Sequence, residues 1–383
     1  MIDRRRFLRN GAAGAASLVF LPHIACAQAE TDRRLVFIIL RGAADALSMV
    51  APTGDPQYET ARRDFAGHSE GGARLDSFFT LHPALAETAR LYASGDAAIF
   101  HAVASAYRDR SHFDGQNILE TAGTTPYGLR DGWMNRLAGL LSGQQAEALA
   151  LSSNMPMVLR GEAEASSYAP SRLPEPDVGL LSRVAMLYEG DEELHADWEQ
   201  ATETRELAGD VEGARRGEAA TGELAARFLS DPEGPRIAAM EMGGWDTHRD
   251  QRRRLNRRFE ALDAVLAALH SGLGPIWSNT LVIVATEFGR TVRPNGTQGS
   301  DHGTGSAALV LGGALRGGSV VADWPGLRPA DLFEGRDLQP TRSLDRLFAD
   351  LVADHFAIEP GLLRRTVFPA AGTTPVANGL IQT

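Results

Sequence analysis

Cysteine is almost missing from this 383-residue sequence: Cys26 is the one thiol in the chain. If the chain is cut just beyond it, disulfides, thiolate metal sites, iron–sulfur clusters and a cysteine nucleophile are all excluded. Any metal must then sit on histidine and carboxylate. Long uncharged apolar runs are also missing after residue 27, so stable membrane insertion of the remainder is not expected. Positive charge is in deficit, with 38 Lys and Arg against 49 Asp and Glu and a net −11. That balance makes the protein a poor nucleic-acid binder. Beyond the amino-terminal segment there is no internal repeat and no long low-complexity tract.

What is present begins at the amino terminus. Asp3-Arg4-Arg5-Arg6-Phe7-Leu8-Arg9 precedes a weakly apolar run, Gly11 to Leu21, that ends in Ala25-Cys26-Ala27. The run is too short to span a bilayer and reads as a twin-arginine signal peptide over residues 1–27. Cleavage after Ala27 is favoured over lipidation at Cys26, because a lipobox wants an aliphatic residue where His23 stands. The expected partner is the twin-arginine translocase, and the expected location is periplasmic or secreted. Losing residues 1–27 removes four arginines and one aspartate, which takes the charge from −11 by a further −3 to −14.

Residues 28–383 read as one α/β domain. Leu35 to Leu40 is a continuous apolar run of strand length, as expected for a strand buried on both faces. Similar runs occur at 97–103, 236–242, 280–285 and 307–311, each beside a polar loop. Between two of them, Leu255, Phe259, Leu262, Val265, Leu266 and Leu269 share one helical face. Strands alternating with helices predict a mostly parallel central sheet, with ligands bound beyond the carboxyl ends of its strands. Residues 160–232 break this rhythm and read as an inserted, surface-lying cap.

Four loops gather metal-ligand types and nucleophiles: 41–48, 110–116, 243–248 and 286–303. Asp246 and His248, two residues apart after a strand, can face one pocket. The plainer reading is a helix-capping aspartate beside a surface histidine. Glu287 directly follows a buried strand, and Arg290 can pair with it or with an anionic substrate. Asp301-His302-Gly303 lies in a glycine-rich loop, but a second Asp-His pair at 354–355, inside an amphipathic helix, shows how readily the dipeptide arises. Ser111 opens a helix whose first-turn amides favour an anion, though an ordinary N-cap explains it as well. Gly67-His68-Ser69-Glu70-Gly71 matches a serine-hydrolase elbow but lacks the preceding buried strand. The basic run Arg249 to Arg258 reads as a solvated helix face.

Together these segments resemble a bacterial exported family known only as domain of unknown function 1501. The resemblance rests on the twin-arginine signal, Leu40 to Asp45, Leu81-His82-Pro83-Ala84-Leu85, Arg110 to Asp114, Gly243 to His248, Thr286 to Thr291, Ser300 to Gly303 and Trp324-Pro325-Gly326-Leu327. It implies kinship with the alkaline phosphatase and sulfatase superfamily: a three-layer α/β fold holding one or two divalent metals at the carboxyl edge of the sheet. By that resemblance Asp45, Asp246, His248, Glu287, Asp301 and His302 are metal ligands, and Ser111 is the nucleophile with His112 beside it. Arg41 and Arg290 are anion clamps. One departure stands out: Phe288 occupies a position where the superfamily places a histidine.

The function these readings imply is an exported, metal-dependent hydrolase of phosphate or sulfate esters that uses Ser111 or an activated water, with Zn, Mn or Ca as cofactor. The alternative is a non-catalytic exported protein that binds a glycan or envelope component on a decayed phosphatase-like scaffold.

Overall fold

The computed structural model describes residues 31–141, 148–169, 178–188, 194–195, 198, 217–374, 376–377 and 379–381. Residues 1–27, with Cys26 and the expected signal peptide, lie outside the described residues. The run Leu35 to Leu40 sends alternate side chains to opposite faces: Leu35, Phe37 and Ile39 enter one apolar cluster, Val36, Ile38 and Leu40 another. This period of two, with both faces covered, is what a central strand requires. Each such side chain contributes roughly 1.5–3 kcal/mol by leaving water.

The strands in chain order are β1 (Arg34–Leu40), β2 (Val50–Ala51), β3 (Ala73–Arg74), β4 (Thr80–Leu81), β5 (Ala97–Ala104) and β6 (Ala148–Leu151). They continue with β7 (Ala165–Ser167), β8 (Ile237–Met242), β9 (Thr280–Ala285), β10 (Ser306–Leu311), β11 (Ser319–Ala322) and β12 (Arg342–Ser343). The main sheet runs β11-β5-β10-β9-β1-β8-β6-β7, with β12 beside β5, while β2, β4 and β3 form a small separate sheet. Every pairing in the main sheet is parallel except those of β10, which is antiparallel to both β5 and β9. The fold class is therefore α/β with a mostly parallel central sheet.

The helices used below are α1 (Ala86–Ser94), α2 (His112–Thr121), α3 (Trp133–Leu141), α4 (Val178–Tyr188), α5 (Glu218–Ser230), α6 (Gln251–Leu273) and α7 (Leu344–Phe356). On one face Phe37 meets Trp133 of α3 and Phe348 of α7 edge-on, at centroid distances of 5.3 and 5.4 Å, a geometry the aromatic quadrupole favours. On the other face the expected stripe of α6 is buried with α5 and α1. Helices thus cover both sides of the sheet, giving three layers.

The expected cap over 160–232 needs correction at both ends. Residues 165–167 form β7, which pairs parallel with β6 and extends the sheet. Leu224, Phe228 and Leu229 of α5 are core residues packed with α6. The middle of that stretch contains α4 and residues outside the described set. Among the described residues no helix is long and apolar enough to cross a membrane.

Candidate metal centre

β1, β8 and β9 are adjacent and parallel, with Leu40 beside Met242 and Ile39 beside Ala285. Their loops therefore leave one edge of the sheet together. The antiparallel β10 brings the loop that precedes it to the same edge, which is how His302 arrives. Two glycines let the loops touch. Gly42 has φ +119°, and a Cβ on it would lie 2.6 Å from the Asp246 amide nitrogen; a Cβ on Gly299 would lie 2.1 Å from the His248 carbonyl. Neither place has room for a side chain.

Three imidazoles meet above this edge. His302 Nδ1 lies 3.0 Å from the Arg110 carbonyl, His248 Nδ1 3.1 Å from Asp301 Oδ1, and His112 Nδ1 2.8 Å from Glu287 Oε1. A carbonyl or carboxylate oxygen only accepts, so each Nδ1 carries the proton and donates outward. Each Nε2 of a neutral ring then presents a lone pair inward. His248 Nε2 and His302 Nε2 face each other at 3.0 Å, and both lie close to Asp246 Oδ1, at 2.9 and 3.2 Å. His112 Nε2 is buried and has no hydrogen-bond partner; its nearest carboxylate oxygen is Asp246 Oδ2 at 3.7 Å. His112, Asp246 and His302 offer ligand atoms that all lie within 4.8 Å of one another.

Acceptors aimed at acceptors repel unless a cation or proton lies between them. An imidazole whose far nitrogen is tied to a carboxylate or carbonyl is the usual arrangement of a metal-bound histidine. The donor set fits a divalent ion that takes nitrogen and oxygen, such as Zn or Mn. Calcium, which takes six to eight oxygens, does not fit so many imidazoles. The side chains of Asp246 and His248 are 43% and 41% exposed, so the cluster opens to solvent.

The electrostatics of the cluster divide its rings. Burial pushes Glu287 up, but hydrogen bonds from His112, backbone amides including Gly42, and Thr286 hold it below its ordinary value. Its bond to His112 in turn raises the His112 pKa, against burial, which favours the imidazolium, so a metal at His112 Nε2 would have to displace that proton. His302 is lowered by burial and by the nearby charges of His112 and Arg290, which keeps it neutral and able to ligate. Burial would raise Asp246, yet the Arg290 guanidinium keeps it below the carboxylate range.

The expected ligand set divides. Asp246, His248 and His302 come together, and His112, expected as a catalytic group, joins them through its Nε2. Glu287 and Asp301 do not turn toward the centre; they orient His112 and His248 from outside. Asp45 is elsewhere: 1% exposed, it caps the Leu47 amide and accepts from Ser48, Arg62 and Gln251. With Asp45 and Glu287 both occupied by donors, neither is free to hold a second of the expected one or two metals. Arg41 is paired with Glu120 and Glu241, and the fully buried Arg290 with Asp246 and Ser300, so neither guanidinium is a free anion clamp. Ser111 is the N-cap residue of α2, directly before His112, and its amide donates to the Tyr107 hydroxyl. Sequence reasoning missed Arg62, which neutralises Asp45, and Gln251, at the start of α6; neither stands in a motif.

A family model described as "Protein of unknown function (DUF1501)" matches residues 32–365. No curated protein is matched. Among solved structures, the C-terminal periplasmic domain of EcEptC from Escherichia coli in complex with Zn is 11% identical, with a TM-score of 0.38, covering 76% of this chain and 77% of that one. A protein in the alkaline phosphatase superfamily from Vibrio parahaemolyticus is 12% identical, TM-score 0.35, covering 82% and 69%. The phosphonate monoester hydrolase of Agrobacterium radiobacter is 13% identical, TM-score 0.32, covering 85% and 74%. At such identity and overlap none of these proteins lends a residue role to this chain.

Proposed function

This chain belongs to the family of proteins of unknown function DUF1501, and on that premise we propose that it is an exported hydrolase of phosphate or sulfate esters that works with one divalent metal ion. The observation that carries the reading is that the Nε2 atoms of His248 and His302 meet at Asp246 Oδ1, while His112, Asp246 and His302 offer ligand atoms within 4.8 Å of one another. These four residues would hold the ion. Bound there, a Zn or Mn ion supplies Lewis acidity, polarising an ester oxygen and making a neighbouring hydroxyl more acidic.

The residues around the cluster suit an anionic ester. The amino-terminal end of α2 adds its dipole and first-turn amides beside His112. Ser111, the N-cap residue before His112, is the hydroxyl this reading assigns to the attack. Phe113 is 80% exposed on the same turn and offers an apolar face to the organic part of a substrate. Export by the twin-arginine route, with the translocase as partner, is part of the same proposal and rests on residues 1–27.

One observation favours the alternative, a non-catalytic protein that binds a glycan or envelope component on a decayed phosphatase-like scaffold: Arg41 and Arg290 are both bound to carboxylates, leaving no guanidinium from the expected pair to grip an anion. The two readings separate in one experiment. Mature protein purified without chelator is analysed for metal and assayed on p-nitrophenyl phosphate, phosphodiester and sulfate, beside His302→Ala. The hydrolase reading expects about one equivalent of metal and ester cleavage, both lost in the variant. Stoichiometric metal with no cleavage of any ester leaves the binding protein. No metal at all, and no cleavage, overturns the hydrolase and likewise leaves the binding protein.

A further inference from the structure

Gln251 opens α6 with no exposed surface. Its Oε1 accepts from Thr247 Oγ1 at 3.0 Å and from Ser300 Oγ at 2.6 Å. Its Nε2 donates to Asp45 Oδ2. Thr247 lies between Asp246 and His248, and Ser300 two residues before His302. One amide thus holds both ligand-bearing loops, and the Ser300 amide adds a backbone bond to the Thr247 carbonyl at 3.3 Å.

We propose that Gln251 is the positioning residue of the metal centre, clamping the loop of Asp246 and His248 to the loop of His302; this rests on reading those residues as ligands. The direction of every bond supports a clamp with one setting. Asp45 is ionised and accepts only, so the Gln251 amide must turn its nitrogen toward it and its oxygen toward the two hydroxyls. Both lone pairs of that oxygen are then filled. Ser300 Oγ, having given its proton to Gln251, is free to accept from Arg290 Nε at 3.2 Å, and Arg290 donates to Asp246 Oδ1 at 2.7 Å. The orientation therefore runs from the Asp45–Arg62 pair, through Gln251 and Ser300, to Arg290 and a ligand oxygen. Asp45, expected to touch metal, acts four hydrogen bonds away from that ligand oxygen by fixing which way the Gln251 amide points.

The test uses metal-free mature protein and Zn²⁺ alone, titrated against a chromophoric chelator, with hydrogen exchange at the Ser300 amide as a second readout. Gln251→Leu is expected to weaken Zn²⁺ binding about 10- to 100-fold and to speed Ser300 exchange while circular dichroism stays native. Adding Ser300→Ala to Gln251→Leu should cost less than the two single losses combined, because the pair acts through one bond. Asn135→Leu, which removes a buried amide that donates to the Leu159 and Ala163 carbonyls and to no residue of the cluster, should lower stability without changing affinity. If Gln251→Leu does not fold, Thr247→Val and Ser300→Ala remove the two hydroxyls singly, and each should weaken Zn²⁺. Unchanged affinity and unchanged exchange in the Gln251 or hydroxyl variants overturn the clamp while leaving the metal reading intact. A wild-type protein that ignores Zn²⁺ overturns the metal reading itself, and faster Ser300 exchange in Gln251→Leu would then show the clamp on its own.

Discussion

Asp45 and Asp246 follow neighbouring parallel strands and have the same chemistry, yet their surroundings are opposite. Asp45 is buried, and its oxygens meet only donors: the Leu47 amide, Ser48, Arg62 and Gln251. Asp246 is half open, and its Oδ1 meets one donor, Arg290, and two imidazole nitrogens whose protons are turned away. A carboxylate surrounded by donors is complete, whereas one crowded by imidazole nitrogens calls for a cation or a proton between them. Residue type does not separate the two aspartates; the direction of the neighbouring protons does.

The largest expected break in that comparison comes at Asp45. Arg62→Leu leaves the Asp45 carboxylate buried without its cation and should lower the stability of the metal-free protein by about 3–5 kcal/mol, read from urea unfolding. Zn²⁺ affinity of the folded protein should move by less than about threefold, since Asp45 still accepts from Gln251. A clear gain of affinity would instead show the freed Asp45 carboxylate taking the metal.

A third acid sharpens the contrast. Asp345 is buried in the first turn of α7; its Oδ1 has no partner, and burial pushes its pKa from 3.8 to about 7 although Arg108 and Arg346 are near. It has no converging ligand atoms, so its mismatch costs stability and marks no site. Its folded pKa lies above its unfolded one, so the proton is favoured on folding. Stability from this group is complete below about pH 4 and is lost as pH rises through about 7. Asp345→Asn should therefore match the wild type at pH 4 and exceed it by about 3 kcal/mol at pH 8. Parallel unfolding curves at the two pH values check this, and an equal difference at both would refute it.

The smallest effect belongs outside the cluster. Glu287→Gln keeps an oxygen for His112 Nδ1 but removes the charge, and should weaken Zn²⁺ about tenfold. Complete loss of binding would instead make Glu287 a direct ligand, as its place after β9 first suggested.

Much of the scaffold was legible because burial writes itself into the sequence. The apolar runs at 35–40, 97–103, 236–242, 280–285 and 307–311 are β1, β5, β8, β9 and β10, and the stripe from Leu255 to Leu269 is the buried face of α6. The short edge strands β7 and β11 carry too few residues to show a period, which is why the first was read as part of a cap. Asp246, His248 and His302 were legible as a set, since each follows or precedes a central strand. The roles of Asp45, Glu287, Asp301 and His112 were not, because proximity along the chain does not tell which ring nitrogen carries a proton. Arg62 and Gln251 were invisible for a related reason: they act through partners far away in sequence.

The antiparallel pairing of β9 with β10 has a consequence for how the centre comes into being. The two strands are a hairpin, and its connecting loop holds Glu287, Arg290, Asp301 and His302. Closing it joins residues close in the chain and carries a modest entropy cost, whereas bringing in His112 and Asp246 requires pairings of much greater sequence separation. One half of the centre is thus local and the other is not. The ion proposed for this centre would need both halves, so it would bind only once the long-range contacts are made, at the end of folding and not the beginning.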